Sequence, residues 1–127
     1  MWTDAFAGDT LAHTRPAAAR RTWSKTPDAV RICLWRSAER EMPRLVSART
    51  VSGRQLAALL TRLDRLPAAR SCGPRHQRFA VLEYLRRGWY DDAVYAGLDG
   101  CRLVLRPDQT LGQLDPASAE LIAALPS

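Results

Sequence analysis

Three cysteines and two histidines are the residues of this chain with the widest choice of chemistry. Cys33, Cys72 and Cys101 are far apart in the sequence, and His76 follows the second cysteine closely. Two of the cysteines could form a disulfide in an oxidising compartment, or all three could stay reduced and act as small apolar residues. Three thiolates and an imidazole also make a tetrahedral zinc set, but the Cys-x-x-Cys spacing of a zinc knuckle is absent. We therefore predict no metal site, and both redox states remain alternatives.

The residues that enzymes use as acids, bases and nucleophiles are few. His13 and His76 are the two histidines, and Cys72 lies with His76 in a Gly-Pro loop, without the helix N-terminus that would lower a thiol pKa. Asp91 and Asp92 are adjacent, so in a strand they point to opposite faces and cannot work as a pair. The chain also has no glycine-rich phosphate loop. We predict a protein without catalytic residues and without a cofactor.

The charge balance allows a nucleic-acid partner. The formal net charge is +6, and the 19 basic residues are scattered along the chain, which is typical of the arginine-rich composition of a GC-rich genome. A more specific interpretation is an N-terminal arm in which Arg15, Arg20, Arg21 and Lys25 contact phosphates while Trp23 stacks on bases. A cytoplasmic basic protein that binds nucleic acid through this arm is the alternative functional hypothesis.

Two regions differ in their patterning. Residues 1–27 show no sustained hydrophobic period, and we predict an arm that is partly disordered or packed back on the rest. Residues 28–127 are predicted to form a single domain, since this length suffices for one core. No apolar run approaches the roughly 20 residues of a transmembrane helix. The residues after Met1 lack a basic start followed by an apolar core, so the sequence predicts no export signal.

The first half of the domain is predicted to contain two strands and a helix. Apolar residues alternate with others from Asp28 to Arg36, and residues 44–51 form a second strand that pairs with the first as a hairpin. Leucines at spacings of three and four predict an amphipathic helix over Ser52–Leu66. Ser52 and Gln55 have the spacing of a capping box, and Pro67 ends the helix.

The second half is predicted to contain three strands and a helix. Three alternating runs lie between Arg78 and Arg106, and Asp99-Gly100 favours a two-residue type I′ turn between the last two. Residues 107–114 are predicted to be a connection, and Asp115-Pro116 opens the last helix with an acid at the N-cap and proline at the first helical position. The fold class is therefore α+β. We predict an antiparallel sheet of about five strands, in the order β-β-α-β-β-β-α, with two helices on one face.

The serial pattern of these pieces resembles small, mostly uncharacterised actinobacterial exported proteins and lipoproteins. The matching pieces are Ile32–Trp35, the leucine-rich helix Leu56–Pro67, Cys72, the strand Val81–Gly88 and the Gly-Cys hairpin Leu98–Arg102. The resemblance covers roughly residues 28–125 and implies export or attachment to the cell envelope. If Met1 is the true start, a cytoplasmic location is expected instead. The family supplies no catalytic residues.

The resemblance also bears on the cysteines. It pairs Cys72 with Cys101, in agreement with the reach of a loop cysteine to the start of a strand, and it leaves Cys33 as a buried thiol. We expect the chain to be a disulfide-stabilised, non-catalytic binding or structural module that is secreted or associated with the envelope. Its partner would be a protein or an envelope component that contacts aromatic side chains, with Trp35, Trp89 and Tyr90 as candidates.

Overall fold

The described part of the chain forms one mixed sheet with two helices. The computed structural model describes residues 15–18, 23, 25–37, 42–70 and 77–124. Along the described chain the elements are β1 (Arg15–Pro16), β2 (Ala29–Arg36), β3 (Arg44–Ser52), α1 (Gly53–Asp64), β4 (Arg78–Arg86), β5 (Trp89–Gly97), β6 (Leu103–Leu105), β7 (Thr110–Gln113) and α2 (Pro116–Ala124). The seven strands form one sheet in the order β1-β7-β6-β5-β4-β2-β3. The pair β1–β7 is parallel and the other pairs are antiparallel.

The prediction of a five-stranded antiparallel sheet in the order β-β-α-β-β-β-α is wrong. The α+β class holds, but two strands were missed and one of them makes the sheet mixed. Strand β1 has two residues and lies in the segment assigned to the arm, so it shows no measurable period. Strand β7 contains Gly112 and lies in the segment assigned to a connection, where glycine weakens the strand signal. The five predicted strands are all present as β2 to β6.

Alternation along β2, β4 and β5 gives the sheet two different faces. On the helix face, aliphatic residues of these strands pack with leucines of α1 and with Ile122 of α2 in one buried cluster. On the opposite face, which we call the Cys33 face, a smaller buried cluster contains Cys33, Phe79, Val81 and Ala93. Residues of both helices therefore belong to the cluster on the helix face.

Helix α1 follows its predicted leucine pattern. Leu56, Leu59, Leu60 and Leu63 are buried, as the spacing indicates. Ser52 is the N-cap residue with an extended backbone, but its side chain makes no capping hydrogen bond. The position of the predicted capping box is therefore right, and its serine bond is not formed.

The two hairpins of the central sheet use different turns. Strands β4 and β5 are joined by Arg87 and Gly88, whose φ angles of 54° and 80° are the two positive values of a type I′ turn. The predicted two-residue turn at Asp99-Gly100 is instead a longer connection between β5 and β6, in which the Arg102 N–H donates to the Asp99 carbonyl over 3.1 Å. Gly100 has a φ of 57°, so the glycine is still needed at this position.

A buried arginine joins three distant segments at the β7 side of the sheet. The Arg106 side chain is 1% exposed. Its Nη1 donates to the Ala17 carbonyl at 2.7 Å and to Thr110 Oγ1 at 3.3 Å, and its Nη2 donates to the Leu66 carbonyl at 3.3 Å. A Cβ on Gly112 would lie 2.7 Å from Nη2, so the glycine makes room for the guanidinium. Arg106 thus fixes the chain beyond β1, the end of the α1 segment and β7 together.

Helix α2 begins as the sequence predicts. Asp115 precedes Pro116, and its Oδ2 accepts a hydrogen bond from the Ser118 N–H at 3.0 Å. The bond with Ser118 lowers the pKa of Asp115, since it favours the ionised carboxylate. Arg62 of α1 donates to Ser118 Oγ at 2.9 Å, which ties the two helices together.

Replacing Gly112 tests the contact with Arg106. We expect Gly112→Ala to lower the free energy of unfolding by about 1–3 kcal/mol, because the new methyl group displaces a buried, hydrogen-bonded guanidinium. In an Arg106→Met background Gly112→Ala should lower the free energy of unfolding much less. Denaturant unfolding of the wild type, the two single variants and the double variant measures the difference. If Gly112→Ala lowers the free energy of unfolding equally in both backgrounds, the new methyl group does not clash with the guanidinium.

Acid unfolding tests the α2 cap. Asp115→Ala should cost about 1 kcal/mol of unfolding free energy at neutral pH. Because the folded pKa of Asp115 is lowered, its contribution is present above the ordinary aspartate pKa of about 4 and is lost as the pH falls through that range. The gap between the wild type and the variant should therefore shrink in acid. Glu120→Gln, which changes an exposed acid of the same helix, is the control, and a pH-independent gap would contradict the capping role.

Candidate functional site

A pocket of about 210 Å³ lies on the Cys33 face of β2, β4 and β5. Small side chains form its floor, namely Cys33, Val81 and Ala93, which are 8%, 6% and 6% exposed. Larger side chains surround the floor: Trp35, Glu83, Tyr90 and Tyr95. The pocket is therefore a depression where short side chains of the sheet are bordered by long ones.

The register of the three strands explains this arrangement. Cys33 pairs with Val81, and Val81 pairs with Tyr95, so one row across the sheet leads from the floor to an aromatic wall. In the next row Glu83 pairs with Ala93, which places the carboxylate beside the smallest floor residue. Paired residues of neighbouring strands point to the same face of a sheet. The pocket is thus a direct product of the pairing.

A bulge in β5 brings Tyr90 into the pocket. Tyr84 pairs with Asp92 and Leu85 pairs with Tyr90, so Asp91 is an extra residue in β5. Ala93 lies on the Cys33 face, and strict alternation from it would turn Tyr90 toward the helix face. The extra residue reverses that direction and adds the third aromatic wall.

A thiol, a carboxylate and a guanidinium form a hydrogen-bonded chain at the pocket. Cys33 Sγ donates to Glu83 Oε1 at 3.4 Å, and Arg31 Nη2 lies 3.2 Å from Oε1 and 3.1 Å from Oε2 of the same carboxylate. Burial and then the hydrogen bond to Glu83 raise the pKa of the Cys33 thiol, while Arg31 opposes the shift. Cys33 is therefore held as a neutral thiol.

The two tyrosines of the pocket are neutral phenols. Burial is the largest cause that raises the pKa of both Tyr90 and Tyr95, and the carboxylates of Asp92 and Glu83 add to it. Both phenols are therefore uncharged hydrogen-bonding groups at neutral pH.

Trp35 is held in place by a neighbouring ring. Its indole is stacked on Phe79, with ring centroids 6.5 Å apart and an angle of 8° between the planes. Trp35 also pairs with Leu45 of β3, which is 51% exposed. An apolar border thus continues from the pocket to the edge of the sheet.

The aromatic residues singled out from the sequence have different positions. Trp35 and Tyr90 line the pocket, whereas Trp89 is 80% exposed and is not among the described residues that line it. Sequence reasoning missed Glu83 and Arg31. The signal was present, because Glu83 is the one charge inside the alternating run of β4, on the same face as Val81.

The basic residues proposed for the N-terminal arm are only partly described. Arg15 lies in β1 and is exposed, and Lys25 is exposed as well. Arg20 and Arg21 lie outside the described residues, as do most of the other residues of the arm. Trp23 packs against the main core, and its Nε1 donates to Asp64 Oδ2 at 3.1 Å. The nucleic-acid hypothesis stays a prediction.

The cysteine predictions are also only partly described. Cys33 is a free, buried thiol. Cys72 and His76 lie outside the described residues, so both the Cys72–Cys101 bridge and the zinc alternative stay untested predictions. Within the part of the chain that the structure describes, no group of three His, Cys, Asp or Glu residues is placed to hold a metal ion.

A second cavity of about 320 Å³ lies between the β5–β6 connection and α2. Arg78, Asp99, Arg102 and Glu120 are among its lining residues. The Asp99 carboxylate already accepts hydrogen bonds from the backbone N–H groups of Gln77 and Arg78, at 2.9 and 3.0 Å. The Asp99 carboxylate of this cavity therefore stabilises the local backbone. The pocket on the Cys33 face is the stronger candidate site.

Comparison of the chain with protein-family models, with curated proteins and with solved structures finds no match. Among the described residues, no helix has the length and apolar character needed to cross a bilayer. The candidate site therefore rests on its own geometry.

Alkylation of Cys33 tests the thiol environment. The raised pKa of Cys33 predicts slow alkylation of the folded protein until the pH rises above the ordinary thiol range. Glu83→Gln should move the midpoint of the rate profile to lower pH, since it removes the charge that disfavours the thiolate. Each unit of pKa changes the thiolate fraction about tenfold. Peptide-resolved mass spectrometry reads the rates, with Glu120→Gln as the control, and an unmoved midpoint would contradict the assignment.

Proposed function

We propose that the protein is a non-catalytic binding module that holds a small ligand in the pocket of the Cys33 face. The observation that carries this proposal is the pocket itself, with an apolar floor, three aromatic walls and one carboxylate. Ligand sites are typically concave and mostly apolar, with a few polar groups that orient the ligand. Trp35, Tyr90 and Tyr95 supply the walls, and Glu83 supplies the polar group.

The protonation states in the pocket support binding over catalysis. A nucleophilic cysteine needs a lowered pKa, and that of Cys33 is raised. Glu83 accepts hydrogen bonds from both Cys33 and Arg31, so its carboxylate is already engaged with neighbouring side chains. Tyr90 and Tyr95 are neutral. The thiol and both phenols are therefore uncharged, which suits the binding of a ligand better than nucleophilic or acid–base catalysis.

The rigidity of the floor also supports a binding role. The floor residues belong to three adjacent strands with continuous pairing, and on the other face the same strands pack against both helices. A site on paired strands keeps its shape better than a site on loops, so less conformational entropy is lost when a ligand binds.

The location of this module at the envelope or outside the cell rests on the family resemblance and on the predicted Cys72–Cys101 bridge. One observation supports the bridge: among the described residues Cys33 is a free thiol, which leaves Cys72 and Cys101 as the remaining pair. A bridge would suit an oxidising compartment. Peptide mapping of the unreduced protein tests it, since a linked pair of peptides containing Cys72 and Cys101 is expected, and three free thiols would exclude it.

A fragment screen with two neighbouring variants tests the pocket. We expect small aromatic and apolar fragments to perturb the amide resonances of Cys33, Val81 and Ala93 in NMR spectra. Tyr90→Ala should weaken these fragments by about 5-fold or more, because a wall of the pocket is lost. Trp89→Ala is the matched control, as it removes a larger and more exposed ring at the adjacent position.

Two results would contradict the proposed function. One is a screen in which no fragment perturbs the floor residues. The other is a screen in which the Trp89 and Tyr90 variants weaken binding equally, since that would place the ligand on the exposed hairpin end instead of in the pocket.

A further inference from the structure

We propose that the ligand of this pocket carries a methylated ammonium group. This inference rests on the proposed function, because it names the chemical class that the same pocket binds. It follows from three features of the pocket: the sign of its charge, the identity of its walls, and the state of its hydrogen-bond acceptor.

The charge of the pocket is opposite to that of the whole chain. The formal net charge of the protein is +6, yet Glu83 is the one charged residue among the described residues that line the pocket. The carboxylate of Asp92 helps to raise the pKa of both pocket tyrosines, which adds a second negative group to their surroundings. A negative site in a basic protein favours a cation over a neutral or anionic ligand.

The nearby cation, Arg31, only partly offsets this charge. Its side chain is 51% exposed, whereas that of Glu83 is 22% exposed. Charges in contact with water are screened more strongly than partly buried ones. The positive charge of Arg31 is therefore screened more strongly than the negative charge of Glu83, and a net negative charge remains on the side of the carboxylate that faces the pocket.

The walls are the ring types that bind cations. Aromatic faces carry a negative quadrupole that attracts a cation within about 6 Å, and Trp is the best of them. Trp35, Tyr90 and Tyr95 border the same 210 Å³ space, and stacking on Phe79 fixes the orientation of Trp35. Three aromatic walls around one carboxylate form the kind of cage that encloses a quaternary ammonium group.

The hydrogen bonds of Glu83 favour a methylated over a primary ammonium group. Oε1 already accepts from Cys33 and Arg31, and Oε2 accepts from Arg31. A primary ammonium group has three N–H donors to satisfy and would leave donors unpaired in the pocket. A trimethylammonium group has no N–H donor, so it loses only a weak hydration shell and gains contact with the rings.

Three small probes that share a hydroxyethyl group test the inference. Choline carries a trimethylammonium group, 3,3-dimethylbutan-1-ol is its neutral isostere, and ethanolamine carries a primary ammonium group. We expect choline to bind at least about 10-fold more tightly than either of the others, with perturbed NMR resonances at Cys33, Val81 and Ala93.

Variants separate the contributions of ring and charge. Tyr90→Leu should weaken choline by about 3-fold to 30-fold, the range expected for one cation–π contact, while Tyr90→Phe should retain most of the affinity. Glu83→Gln should weaken choline and leave the neutral alcohol unchanged. Trp89→Leu, at the exposed neighbouring position, should change neither.

The outcomes distinguish this inference from the proposed function. If the neutral isostere binds as tightly as choline, or if fragments bind the pocket and choline does not, the cation inference is overturned while the pocket remains a binding site. If ethanolamine binds as tightly as choline, the preference for a methylated group is overturned. If neither the three probes nor the fragments bind, both proposals fail.

Discussion

The register that pairs β2 with β4 and β4 with β5 is the constraint on which the rest of the structure depends. Side chains alternate between the two faces of the sheet with a period of two. A shift of one residue in the pairing of any of these strands would therefore move its side chains to the opposite face. Val30 and Ile32 would leave the core under the helices, and Cys33 would enter it. The same pairing that buries the aliphatic residues therefore also builds the pocket floor.

The edge of the sheet beyond β6 depends on a second interaction, the buried guanidinium of Arg106. Strand β1 has only two residues and β7 has four, so backbone pairing alone gives them little stability. The hydrogen bonds from Arg106 to the Ala17 and Leu66 carbonyls connect these strands to the rest of the protein. A buried arginine is costly unless its donors are used, and here they bond segments that are distant in sequence.

Sequence reasoning succeeded where a period extends over many residues and failed where structure depends on tertiary contacts. The leucines of α1 and the alternation of β4 identify those elements directly, and Asp115-Pro116 marks the start of α2. Strand β1 is too short to show a period, and its pairing with β7 is a long-range contact. Of the candidate site, Trp35 and Tyr90 could be named as exposed-face aromatics, but their convergence with Glu83 depends on register and on a bulge that no local pattern predicts.

The bulge at Asp91 shows why the pocket is more than a gap in the packing. A regular β5 would direct Tyr90 toward the helices, where the core is already filled by Tyr84, Leu82 and Val94. An extra residue interrupts the ladder and leaves backbone groups to be satisfied otherwise, so it weakens the strand. The bulge places an aromatic wall beside Glu83, above the pocket floor that is formed by the short side chains of Cys33, Val81 and Ala93. The bulge weakens the pairing of the sheet and completes a concave pocket. A role in ligand binding therefore explains it better than a role in stability does.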